Sequence, residues 1–60
     1  MKVKINLKNG SDELNCSSII VEDKYLKLTD CKIQDLCGEL VVTRYYRLVN
    51  VMSYDIVEEA

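Results

Sequence analysis

Phenylalanine, tryptophan, histidine and proline are all missing from this chain of 60 residues, and glycine occurs only twice. Each absence excludes something. Without Phe or Trp, core burial falls to Leu, Val, Ile, Met and four Tyr. That leaves a chain of this length near the lower limit for folding alone. Without His, neither a Cys₂His₂ nor a Cys₃His zinc site can form, and three cysteines (Cys16, Cys31 and Cys37) are one short of a Cys₄ site. General acid–base work would fall to Asp, Glu, Lys, Tyr or Cys. Gly10 and Gly38 stand apart, so no glycine-rich loop is present to cradle a phosphate. No apolar run approaches the roughly 20 residues of a membrane span. Nothing Pro-rich or low-complexity marks a linker, so one domain over residues 1–60 is expected, with no cofactor and no metal.

Positive charge is also in short supply. Ten carboxylates against eight cations leave a net charge of −2, with a pI near 4.9. Non-specific polyanion binders are usually basic or carry a concentrated basic face, so nucleic acid is not the expected partner. An odd cysteine count and no signal-peptide pattern at the start imply a cytoplasmic chain with reduced thiols. Cys31 and Cys37 could meet across a hairpin, but the preferred reading is of small buried hydrophobes. With disulfides and metals set aside, association into a homo-oligomer is the expected extra stabiliser.

What remains is alternation. In "KVKINLKNG", Val3, Ile5 and Leu7 alternate with lysines and Asn6, the signature of a half-buried strand, and Asn9-Gly10 suits a tight turn. In "DELNCSSIIVED", Leu14, Cys16 and Ile20 share one phase and Ile19 and Val21 the other, with Ser17-Ser18 as a candidate bulge. "YLKLTDCKI" sets Leu26 and Leu28 against Tyr25, Lys27, Thr29 and Cys31. Residues 34–38 form the next connection. The β-branched and aromatic stretch from Glu39 to Val57 is too long for one strand, and a break is expected at Val49-Asn50.

The sum is an all-β domain of about five short antiparallel strands, 2–8, 13–21, 25–31, 39–48 and 51–58. Short connections exclude parallel crossovers, so a meander is expected, as a rolled sheet or a small SH3-like or Sm-like barrel. Lys2, Lys4 and Lys8 on the first strand and Asp55, Glu58 and Glu59 on the last would suit neighbouring strands. The preferred reading of these charges is plainer: they decorate solvent faces and protect edges.

No constellation points to catalysis. Glu22-Asp23 reads as a solvated turn, and Cys31 and Cys37 have no evident partner base. The feature that stands out is Arg44-Tyr45-Tyr46-Arg47. Strand parity divides it, sending Arg44 and Tyr46 to one face and Tyr45 and Arg47 to the other. Tyr46 shares its parity with Leu40, Val42 and Leu48 and should be core, with Arg44 at a rim. Tyr25, Tyr45 and Arg47, with Val49 if the strand continues in phase, then form the candidate interaction patch, of the residue types enriched at interface hot spots. A host protein or a second copy of the chain is the expected partner, and no enzymatic activity or membrane association is expected. The first alternative is a small barrel that stacks single-stranded nucleic acid on Tyr45 beside Arg47. The second is an oligomer that sequesters a small signalling ligand at its interface.

The order "VKINLKNG", "VEDKYLKL" and "GELVV…YRLVNVMSYDI" resembles the small β proteins of bacteriophages and prophages, in which a lysine-rich first strand precedes a D/N-G turn and the chain closes on an L-x-N-V-x-S segment with an acidic end. "CKIQDLC" and "TRYYR" depart from that pattern. The resemblance carries no catalytic residues across. It implies a mobile-element protein of the host-cell cytoplasm that works by binding, with inhibition or titration of a host defence factor as one such role.

Overall fold

The computed structural model describes residues 1–58, which form six antiparallel strands and one 3₁₀ turn. In chain order these are β1 (Lys2–Leu7), β2 (Gly10–Asn15), β3 (Ser18–Val21), β4 (Tyr25–Asp35), β5 (Gly38–Arg47), the 3₁₀ turn Leu48–Asn50, and β6 (Val51–Glu58). The all-β antiparallel architecture matches the sequence expectation, with six strands in place of five.

The sixth arises because the segment expected at 13–21 bends. β2 starts at Gly10, and the strand is interrupted at Cys16-Ser17 before resuming as β3. Both pieces lie on the same edge of β4 in one continuous register: Asn15 pairs with Lys32, and Ser18 to Val21 pair with Thr29 to Leu26. The expected phase slip at the serines is real. Leu14 and Cys16 pack on the core, and beyond the slip it is Ile19 rather than Ile20 that joins them.

Two hairpins share one construction. Leu7 pairs with Gly10 across Lys8-Asn9, and Asp35 pairs with Gly38 across Leu36-Cys37. Each glycine opens the following strand at positive φ, 145° for Gly10 and 122° for Gly38, where a Cβ would be strained. The turn expected at Asn9-Gly10 therefore lies one residue earlier. The connection expected over residues 34–38 is only two residues long, and the strands on either side of it are correspondingly longer.

β4 carries the most consequential irregularity. Leu28 pairs with Arg44 but Cys31 pairs with Val42, so β4 has one residue more than β5 between these rungs. Asp30, at φ 52°, takes up the extra residue. Asp tolerates this left-handed conformation better than most side chains. The bulge reverses the alternation, so Cys31 points inward with Leu26 and Leu28, and all three are fully buried. The expectation that Cys31 faces away from them is corrected on this ground.

β1 pairs with β2 on one edge and with β6 on the other, and β5 pairs with the far edge of β4. β5 and β6 are thus at opposite ends of the sheet, yet only Leu48–Asn50 joins them. So short a link forces the sheet to curl strongly. Val3, Ile5, Cys16, Leu26, Leu28, Cys31 and Tyr46 fill the concavity. β5 and β6 share no ladder among the described residues, so the curled sheet is an open half-barrel rather than a closed one.

The neighbourhood of first and last strands, which the charges hinted at, is present: Lys4 lies opposite Asp55 and Lys2 opposite Glu58. Among the described residues no ion pair spans it. Lys2 Nζ lies 3.4 Å from Glu13 on β2, and Asp55 accepts from Asn6 Nδ2 at 3.2 Å. Glu59 lies outside the described residues.

Candidate protein-docking surface

The four residues singled out from sequence converge on one end of the half-barrel, where β4 begins and β5 ends. Tyr25 pairs with Arg47, Leu26 with Tyr46, Lys27 with Tyr45 and Leu28 with Arg44. Strand alternation then sorts these eight side chains between two faces. Tyr46 is 9% exposed within the core, whereas its neighbour Tyr45 is 56% exposed.

On the inner face the Tyr46 hydroxyl donates to Asp12 Oδ2 at 3.0 Å. The Arg44 guanidinium lies 5.7 Å from the Tyr46 ring centre, as a residue at the rim would. Burial, followed by the bond to Asp12, pushes the Tyr46 phenol up to about 12. Tyr46 is consequently a neutral structural group at ordinary pH.

On the outer face Tyr25 and Tyr45 meet edge to face, with ring centres 6.1 Å apart at 82°. Lys27 Nζ sits 5.9 Å from the Tyr45 ring centre and 3.9 Å from Glu22. The rings therefore support each other across the strands while both stay exposed. Such an aromatic pair contributes about 0.5–1.5 kcal/mol beyond its burial and holds the tyrosines in place before any partner arrives.

Val49 does not continue the strand phase expected of it, because it lies on the 3₁₀ turn. There it is 71% exposed and lines a cleft of about 350 Å³ together with Arg47, Leu48, Asp23 and Lys24. A second open cleft, of about 390 Å³, is formed by Leu7, Lys8, Asn9, Tyr45, Tyr46, Arg47 and Asn50. Arg47 belongs to both.

The 3₁₀ turn is fastened from both sides. Lys8 N donates to Asn50 O at 3.2 Å and Leu48 N donates to Lys24 O at 3.0 Å. These bonds draw the β1–β2 turn and the β3–β4 turn up against the 3₁₀ turn that follows β5. No family model matches this chain, and no curated protein or solved structure matches it either.

Lys8, Lys24, Asn9 and Asn50 are among the site residues that sequence reasoning missed. Lys8 reads as the end of a strand and Lys24 as part of a polar turn. Only the tertiary hydrogen bonds bring them to Arg47, and nothing local signals that. The surface offers phenol, guanidinium, ammonium and amide groups beside apolar walls, so its chemistry is that of stacking, hydrogen bonding and ion pairing.

The cysteines stand apart from this surface. All three are free. Cys31 faces the core and Cys37 lies exposed in the two-residue turn, so the two do not meet across the hairpin. Cys37 is also a correction to the reading of all three as buried. Burial raises the thiol pKa of Cys16 and of Cys31, which leaves both in the unreactive protonated form.

Proposed function

We propose that this protein is a non-catalytic binding protein that docks another protein through Tyr25, Tyr45, Arg47 and Val49. The observation that carries this reading is the exposed, mutually packed tyrosine pair beside an arginine shared by two preformed clefts. Rigid aromatic and Arg anchors flanking clefts are what interface hot spots are made of. The resemblance to small phage and prophage β proteins supports a host factor as the partner and the host-cell cytoplasm as the setting. Self-association belongs to the same proposal: on β6, Tyr54 and Ile56 share the inward face with Ile5 and Val3 yet stay 42% and 48% exposed.

Position-specific photo-crosslinking tests the reading. A photoreactive side chain at position 45 should form protein adducts in host cells, and one at Glu13, on the outer face of β2, should form few. Equal adduct yields from the two positions, or adducts from position 45 with nucleic acid alone, would remove the protein-docking reading.

A further inference from the structure

The two clefts differ in character. The one reaching Lys8 is lined by Leu7, Tyr45 and Tyr46 together with the amides Asn9 and Asn50. The other, reaching Lys24, is walled by the aliphatic Leu48 and Val49. Arg47 divides them, exposed and pointing outward. Lys8, Lys24, Lys27 and Arg47 gather here half of the eight cations of a chain whose net charge is −2. Of the carboxylates close by, Glu22 lies beside Lys27 and Asp12 accepts the Tyr46 hydroxyl. Asp23 is the one that lines a cleft. The local charge thus opposes that of the chain as a whole.

A docked helix needs a continuous apolar groove for anchors spread over several turns, and a guanidinium interrupts any such groove here. An extended segment places alternate side chains on one side at roughly 6.6 Å intervals, which suits two separate clefts, each with some apolar lining, and a cation between them. Resting on the docking reading above, we infer that the partner contributes an extended acidic segment. One apolar side chain enters each cleft, and a carboxylate between them pairs with Arg47. Arginine is the fitting cation, because its planar fork binds a carboxylate through two parallel hydrogen bonds.

The test is an amide-resolved NMR titration of the intact chain with the blocked peptide Ser-Leu-Ser-Glu-Ser-Leu-Ser. A version with Lys at the centre and a short oligothymidylate serve as competitors. Saturable shifts are expected at Lys8, Asn9, Arg47, Leu48 and Val49. Kd should rise about tenfold or more with the Lys-centred peptide, and by a similar factor in Arg47→Ala, whose own spectrum shows whether it is folded. Arg47→Lys should fall between the two. Equal affinity for both peptides, no saturable shift at those amides, or tighter binding of the oligothymidylate would overturn the inference. If position 45 still crosslinks to protein while the Glu-centred peptide fails, the acidic-segment inference falls and the docking surface stands. If crosslinking fails as well, the docking reading falls too.

Discussion

Replacing Tyr46 with Phe removes one oxygen atom and, with it, a tie across the interior. The ring of Tyr46 is buried on β5, while its hydroxyl reaches Asp12 on β2 at 3.0 Å. These strands do not pair; β4 lies between them. A hydrogen bond to a charged acceptor contributes about 1.5–3 kcal/mol, and partial exposure of Asp12 favours the low end. A domain of this length has a total stability of about 3–9 kcal/mol, so the loss is a substantial fraction. In a domain this small about 1.5 kcal/mol lowers Tm by roughly 8–12 °C. The effect also has a pH signature. The native phenol titrates near 12 against an ordinary value of 10.0, so the native state holds this proton more tightly than the unfolded chain. The stability that this supplies is fully present below pH 10 and is lost as pH rises through about 12. Two pKa units correspond to about 3 kcal/mol at most. Thermal unfolding followed by far-UV circular dichroism, at steps from pH 7 to 12, measures both effects. Tyr46→Phe should melt lower at pH 7, and the gap should close between pH 10 and 12. A variant as stable as the parent at pH 7, or a gap unchanged at pH 12, would refute this account of the interior.

Three further outcomes follow from the packing. Ile5 is fully buried, so Ile5→Ala should cost about 2–5 kcal/mol and leave little or no cooperative melting transition; a Tm within a few degrees of the parent would contradict the core assignment. Asp30→Val forces a β-branched residue into positive φ and should cost about 1–3 kcal/mol, with Asp30→Gly within about 1 kcal/mol of the parent; equal stability of the two would place the bulge elsewhere. A thiol reagent should modify Cys37 rapidly, and Cys16 and Cys31 only on unfolding; a second rapidly reacting thiol would contradict the burial of one of them.

Much of the architecture was legible because period-two alternation survives wherever one face is buried. Val3 and Ile5 on β1 and the Tyr45/Tyr46 division on β5 follow directly from it. Alternation fails as a guide where the ladder itself is irregular. Nothing in "LTDCKI" announces that Asp30 is bulged, so alternation alone puts Cys31 in the outward phase, and its full burial agrees instead with the reading of it as a small buried hydrophobe. The β4–β5 hairpin was legible only in part, because its tip projects past the core. Ile33 and Leu40 keep the inward phase there, but Leu36 and Leu40 are exposed, and an exposed Leu36-Cys37 pair resembles the start of a loop. Half of the candidate site was within reach for the same reason. Tyr25, Tyr45 and Arg47 share a face by parity alone, whereas the clefts depend on Lys8 bonding Asn50 and Leu48 bonding Lys24. Contacts between segments so distant in the chain leave no local pattern.

The docking surface itself is tested most directly by comparing two double variants against the protein captured through position 45. Tyr25→Ala/Arg47→Ala removes two exposed outer-face side chains of the proposed surface, and Lys2→Ala/Glu13→Ala removes an exposed ion pair elsewhere on the sheet. Binding measured by calorimetry should weaken at least about thirtyfold in the first, as expected for two anchors of about 1 kcal/mol or more each, and by less than about threefold in the second. Equal losses in the two variants, or undiminished binding by the first while it remains folded, would show that this end of the half-barrel is not where the partner docks.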